Sequence, residues 1–172
     1  MEIEIMSTNR ILILPFLFIS FILLGACEQQ SETSQTNPDR ISYEANVHEK
    51  TFGKHIIHIN ALTTDQLPTE VARGYKISRS KNRAMLNVSV REKQGEVETP
   101  ITATVSVIAK NLSSQLKSVK FREIKESDPV AIYYIGELPV GNEETLVFDI
   151  DVTPTGATKP VLVSYRHKFF TK

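Results

Sequence analysis

Hydrophobic and polar positions divide the chain into successive regimes. Residues 11–26 read ILILPFLFISFILLGA, an uncharged apolar run, and residues 28–46 that follow are dominated by Gln, Ser, Thr, Asn and acidic side chains. Beyond them the apolar residues recur with a period of two. Ala84, Leu86, Val88 and Val90 alternate with Met85, Asn87 and Ser89, and Ile101, Ala103, Val105, Val107 and Ala109 alternate with Thr102, Thr104, Ser106 and Ile108. Alternation of this kind puts one face of a strand in a core and the other towards solvent. Further strands are predicted over 54–61, 116–125, 131–138, 145–152 and 161–170, with turn-forming residues at 94–95, 111–114, 127–129, 139–142 and 154–160 between them.

Residues 64–74, TDQLPTEVARG, break the alternation. An early Pro, an acidic first turn, an Arg in the last turn and a closing Gly predict a short helix between the first two strands. Seven strands and one helix in a domain of roughly 125 residues fit a single hydrophobic core. The predicted class is all-β: an immunoglobulin-like antiparallel two-sheet sandwich, with an open barrel as the competing architecture. Twenty Lys plus Arg balance twenty Asp plus Glu, so the charge offers no footprint for nucleic acid.

The apolar run is shorter than the about 20 residues needed to span a bilayer. It contains Pro15, follows Arg10 and ends in small residues, which is the layout of an export signal. Leu24, Gly25, Ala26 and Cys27 resemble the lipobox read by lipoprotein signal peptidase. That resemblance implies cleavage before Cys27, a diacylglycerol thioether on its sulfur and acylation of the freed amine, with two or more acyl chains giving a stable anchor. Cys27 is the single cysteine, so a disulfide within the chain and a Cys-based metal cluster are excluded, and the thioether gives the thiol a use. The expected organisation is a signal peptide over 1–26, lipidated Cys27 with a disordered tether over 27–46, and the sandwich over 47–172. A tether of about 19 residues reaches roughly 22–26 Å, enough to hold the domain clear of the headgroups. Glu28 after the lipidated cysteine, where Asp would resemble an inner-membrane retention signal, favours the periplasmic side of the outer membrane.

The run from Gly74 through Arg79 and Arg83 to Val90 (GYKISRSKNRAMLNVSV) resembles the conserved block of the family known as domain of unknown function 4426. So do Phe121-Arg122-Glu123-Ile124, Ala131-Ile132-Tyr133-Tyr134-Ile135, and Asn142-Glu143-Glu144-Thr145-Leu146 with Phe148-Asp149-Ile150. The resemblance spans about residue 48 to the end and implies a small exported domain of Gram-negative bacteria with no assigned activity. It carries location and fold, not chemistry.

Arg79, Lys81 and Arg83 precede one strand, and Glu143 and Glu144 precede another. If one end of the sandwich gathers them, Arg79, Arg83, Glu143 and Glu144 form a charged ligand or partner surface, with the arginines suited to a carboxylate or phosphate. The plainer alternative is solvated loops with ion pairs of about 0–1 kcal/mol. His55 and His58 stand three apart, which on a strand points them to opposite faces and away from shared chelation. Asp149 and Asp151 read as the solvent side of a strand whose other side carries Phe148, Ile150 and Val152. Tyr133 and Tyr134 read as packing residues, the alternative being a strand edge that accepts a partner. No GxSxG and no glycine-rich phosphate loop occurs, and no cofactor is expected. The expectation is a non-enzymatic, lipid-anchored module that meets an envelope protein. The alternative is small-ligand or metal binding, or hydrolysis, at the Arg79, Arg83, Glu143 and Glu144 end.

Overall fold

A computed structural model describes residues 41–45 and 48–172; the export segment, Cys27 and most of the expected tether lie outside the described residues. The strands are β1 (Ile41–Ala45), β2 (Glu49–Phe52), β3 (His55–Thr63), β4 (Arg83–Gln94), β5 (Val97–Pro100), β6 (Ala103–Asn111), β7 (Leu116–Lys117), β8 (Lys120–Ser127), β9 (Val130–Pro139), β10 (Thr145–Pro154) and β11 (Val161–Lys168). One sheet runs β1-β11-β10-β6-β7 and the other β2-β3-β4-β9-β8, with β5 paired to the far half of β4. The order β3-β4-β9-β8 facing β6-β10-β11 reproduces the four-on-three strand arrangement of constant-type immunoglobulin domains.

Alternation explains the core. Along β10, Leu146, Phe148, Ile150 and Val152 are buried while Val147, Asp149 and Asp151 are only partly covered. The inward residues of β3 and β4 meet them: Ile57, Ile59, Ala61, Ala84, Leu86, Val88 and Val90, with Tyr134, Leu138, Val163 and Tyr165 completing the core. Full burial of one such side chain contributes about 1.5–3 kcal/mol, so the inter-sheet layer is the main source of stability. Asp149 lies on the outer side, where Lys110 donates to it at 2.7 Å and Ser164 at 2.9 Å.

Several sequence expectations change: β2 and β5 lie outside the seven predicted strands, and two further segments differ. Ile41–Ala45, assigned to the tether by its polar surroundings, pairs in parallel with β11, from Ile41 opposite Val161 to Ala45 opposite Tyr165. Among the described residues every other strand pairing is antiparallel. The single strand expected over 116–125 is two strands in different sheets: β7 pairs with β6, and after residues 118–119 the chain crosses to pair β8 with β9.

The helical segment lies between β3 and β4 as expected, but is shorter. A 3-10 turn covers Thr64–Gln66, and the α-helix α1 begins only at Thr69 and ends at Gly74. Pro68 is the cause: the residue before proline is forced out of the α region, and Leu67 has φ −67° and ψ 138°. Among the described residues no helix is long and apolar enough to cross a membrane.

Candidate functional site

The crossover of residues 64–82 does not loop away from the sandwich; it folds over the outer face of the β2-β3-β4-β9-β8 sheet. Its first leg is held to its last by Thr64, whose buried hydroxyl lies 2.8 Å from the Ser78 carbonyl oxygen and accepts from the Ser80 N–H at 2.9 Å. Arg79 clasps the same strap, donating to the Asp65 carbonyl at 2.6 Å and to the Thr69 hydroxyl at 3.0 Å. The helix closes in a Schellman arrangement: Ile77 N–H reaches the Ala72 carbonyl at 2.8 Å and Lys76 N–H the Arg73 carbonyl at 3.1 Å. The left-handed residue this closure requires is Lys76, φ 56°, not the Gly74 the sequence pattern nominated.

Leu67, Ala72 and Ile77 thereby press onto Met85 and Ile135, forming a second buried cluster with Leu62, Tyr75, Ile124 and Tyr133 around it. Tyr75 packs against Tyr133 with ring centroids 6.4 Å apart, and its hydroxyl donates to Glu126. Burial first, and the neighbouring Glu126 carboxylate second, push the Tyr75 phenol up to about 12. Arg122 donates to the Tyr75 carbonyl at 2.7 Å and pairs with Glu137 at 3.4 Å, fixing the strap to β8 and β9.

The strap covers only part of the sheet face, and a groove follows its edge. A cleft of about 270 Å³ is lined by Leu62, Leu67, Val71, Tyr75, Met85, Tyr133 and Ile135, with Asn60 and Asn87 at one end. Beyond those two asparagines, a second cleft of about 350 Å³ is lined by His48, His58, Ile59, Asn60 and Asn87. Asn60 and Asn87 are directly opposed across β3 and β4, as are His58 and Ser89. The Oδ1 of Asn87 is shut off from solvent and accepts no hydrogen bond from the protein. Nε2 of His58 is likewise covered; its nearest acid is Glu98 at 3.8 Å, too far for a hydrogen bond, while Nδ1 lies 3.6 Å from Glu49. An apolar trough thus leads into a neutral amide pair.

The residues nominated from the sequence lie elsewhere. Arg79 is the strap clasp, and Arg83 is 4.0 Å from Glu137 on the neighbouring strand. Glu143 pairs with Lys168 at 3.3 Å; Glu144 pairs with Lys117 at 2.6 Å and accepts from the Gly141 N–H at 2.8 Å. Burial alone would raise the Glu144 carboxyl, but Lys117 and the Gly141 amide outweigh it and hold it below the usual range. The turn holding the two glutamates does meet the start of β4, through Val140 N–H to the Asn82 carbonyl at 3.0 Å, yet each of the four charged groups has its own partner. None of them lines either cleft. His55 turns inward against Phe52 with ring centroids 5.5 Å apart, opposite in sense to His58. Tyr134 is a core residue and Tyr133 a packing residue of the outer cluster. Among the described residues, no three His, Cys, Asp or Glu side chains are placed to hold a metal ion.

The groove itself escaped the sequence reading, although a signal was present. Met85 stands in the polar phase of β4, and Leu62 and Ile135 share its face; apolar groups on the outward side of a sheet announce that something covers it.

Sheet order, strap and groove together define an all-β immunoglobulin-like sandwich with a helical cover on one outer face. The chain belongs to the DUF4426 family, a domain of unknown function, whose profile matches residues 49–172. A crystal structure of a DUF4426 family protein from Pseudomonas aeruginosa PAO1 is similar, at 30% sequence identity and a TM-score of 0.59, over 71% of this chain and 93% of that one. No curated protein matches the chain.

Proposed function

We propose that this protein is a lipid-anchored binding module of the cell envelope, attached through acylated Cys27 at the periplasmic side of the outer membrane. Its ligand-contacting surface is the groove between the strap and the outer face of the β2-β3-β4-β9-β8 sheet. The anchor rests on the lipobox-like Leu24-Gly25-Ala26-Cys27 and on the lone thiol. The groove rests on one observation: an apolar trough that ends in the opposed side chains of Asn60 and Asn87. Binding sites are concave and mostly apolar, with a few placed polar groups, and this lining has that character. It pairs amides with apolar surface, a combination that recognises a ligand without supplying a nucleophile, so the reading is non-enzymatic.

Photo-crosslinking in living Gram-negative cells tests it. A benzophenone amino acid is placed at Val71, on the groove lip and 39% exposed, and separately at Ile108, 58% exposed on the other sheet. Adducts from position 71 are expected. Adducts from 108 alone would show that the groove is the wrong surface.

A further inference from the structure

We propose that the open edge of β6 accepts an extended, uncharged strand from a partner protein, paired antiparallel with Val105 and Val107 through the backbone. This is a second contact surface, on the other sheet from the groove and independent of it.

The register shows which groups are open. Along an antiparallel strand the N–H and C=O of one residue point to one side and those of the next residue to the other. Thr102 accepts from Thr155 on the β10 side at 2.9 Å. Ala103 instead donates away from β10, to the Tyr134 hydroxyl at 2.8 Å, and Asn111 donates to Gln115 on the β7 side at 3.0 Å. The odd-numbered residues of β6 therefore face away from β10. β7 covers this edge only beside Ala109 and Lys110. Between β7 and the Tyr134 hydroxyl, among the described residues, no strand lies against the N–H and C=O groups of Val105 and Val107. Donors and acceptors spaced as a ladder are matched by another extended backbone, which is strand addition.

Sequence sets this edge apart from the others. Exposed strand edges are normally blunted by charge or proline. β2 carries Glu49 and Lys50, β8 carries Lys120, Arg122, Glu123, Lys125 and Glu126, and β5 ends in Pro100. From Ala103 to Ala109, β6 reads ATVSVIA, with no charge, proline or glycine. The side chains along the same margin define the guest further. Val105 and Val107 are only partly buried and pack on the core beside Val119 and Phe121. Gly136 makes room for these last two, since a side chain there would meet both at 2.6 Å. In an antiparallel pair directly opposed residues share a face, so guest residues opposite Val105 and Val107 fall on apolar surface, where an unpaired charge is strongly disfavoured. Those between them lie beside Thr104, Ser106 and Ile108 on the solvent side. The guest is thus about five residues long, apolar at alternate positions.

A second copy of this chain is the competing occupant, and the register disfavours it. Two copies of one edge pair about a two-fold axis. Setting Val105 opposite Val107 of the copy brings Ala103 opposite the copy's Ala109, a place already held by the copy's own Lys117. Setting Val105 opposite Val105 brings Val107 opposite the copy's Ala103, whose N–H is given to Tyr134. A strand from a different protein meets neither obstacle.

The test is a titration followed by amide NMR of the isotope-labelled full-length protein. The probe is the capped peptide acetyl-Thr-Val-Thr-Val-Thr-amide. The controls are the same peptide N-methylated at both valines, which cannot donate to the edge, and acetyl-Thr-Glu-Thr-Glu-Thr-amide. The probe is expected to shift the backbone amides of Val105 and Val107 and to slow their exchange with solvent, saturating at millimolar concentration. Each control should bind about tenfold more weakly or worse, a difference of about 1.4 kcal/mol. Val107→Pro removes an edge donor where proline is tolerated, and should weaken the probe to a similar degree. If that variant does not fold, the methylated peptide decides alone. Unchanged amides at Val105 and Val107 would overturn the proposal, as would equal binding of the methylated peptide, which would mean apolar contact without a ladder. Self-association in sedimentation equilibrium that protects the same two amides would overturn the partner in favour of a second copy. Ile108 stands on this edge, so crosslinks from it in cells report this surface while those from Val71 report the groove, and failure of one reading is distinguishable from failure of the other.

Discussion

Asn87 occupies the middle of β4, a central strand, with its oxygen covered and unpartnered. Asn is a poor strand former, and a buried acceptor without a donor costs about 1–3 kcal/mol. Met85, Ile135 and Leu62, which share this face of the sheet, are apolar, so Asn87 is a polar residue in an otherwise apolar stretch of the groove. At the same scale, His167 records a cost of burial. Burial, with the His48 imidazole beside it, holds its ring below the ordinary 6.5, and it packs edge-on against Phe169 at 4.6 Å. The folded state therefore protonates later than the unfolded chain. The stability linked to this group is full above about pH 6.5 and is lost as pH falls through the lower folded value. Denaturant midpoints should decline from about pH 7.5 to about pH 5, and His167→Phe should flatten that decline. An unchanged slope in the variant would place the acid sensitivity elsewhere. Of these residues the sequence showed only polarity: Asn87 reads as an outward position of an alternating strand, which is correct, and nothing in the strand's own pattern announces that its oxygen is covered.

The elements were legible wherever a period of two ran long enough. β3, β4, β6, β9, β10 and β11 all fall on alternating stretches of the sequence. β1 was missed because Ile-Ser-Tyr-Glu-Ala alternates for only five residues beside a long polar run. β7 and β8 were fused because alternation does not reveal a change of sheet, and Ser118-Val119 carries no glycine or proline to mark the crossing. The helix ends at Gly74 as expected but begins only at Thr69, and its left-handed closing residue is Lys76. A left-handed residue normally favours glycine, since an L side chain there costs about 1–2 kcal/mol, but the Schellman bonds fall at Lys76. Lys76→Gly relieves that cost while adding some freedom to the unfolded chain, so it should stabilise the protein by about 0.5–1 kcal/mol in chemical denaturation. Destabilisation would mean that the lysine side chain itself holds the strap. The charged cluster was legible as residues and misleading as a site. Arg79, Arg83, Glu143 and Glu144 are at element ends, where the sequence put them, but each is committed to a different neighbour.

At the scale of the whole molecule, the family relation and the sandwich describe residues 49–172, and the attachment reading concerns residues ahead of them. If Cys27 is acylated, the wild-type protein expressed in a Gram-negative host carries the mass of its acyl chains and fractionates with the outer membrane. The Cys27→Ser protein should lack that mass and leave the membrane fraction; an unacylated wild-type protein would make the domain a freely diffusing one. The strap fits a module of this kind, since it roofs a sheet face that a plain sandwich would leave to solvent and turns it into a trough with one open lip at Val71.

The claim on which the account turns is that the Asn60–Asn87 end of the groove serves binding and not the fold, and thermal unfolding of Asn87→Val against the wild type tests it most directly. Removing an unpaired buried amide and improving strand propensity should raise stability by about 1 kcal/mol, roughly 2–6 °C in melting temperature. A melting temperature lowered by a similar amount would show that Asn87 supports the fold, and the groove would lose its strongest mark as a binding site.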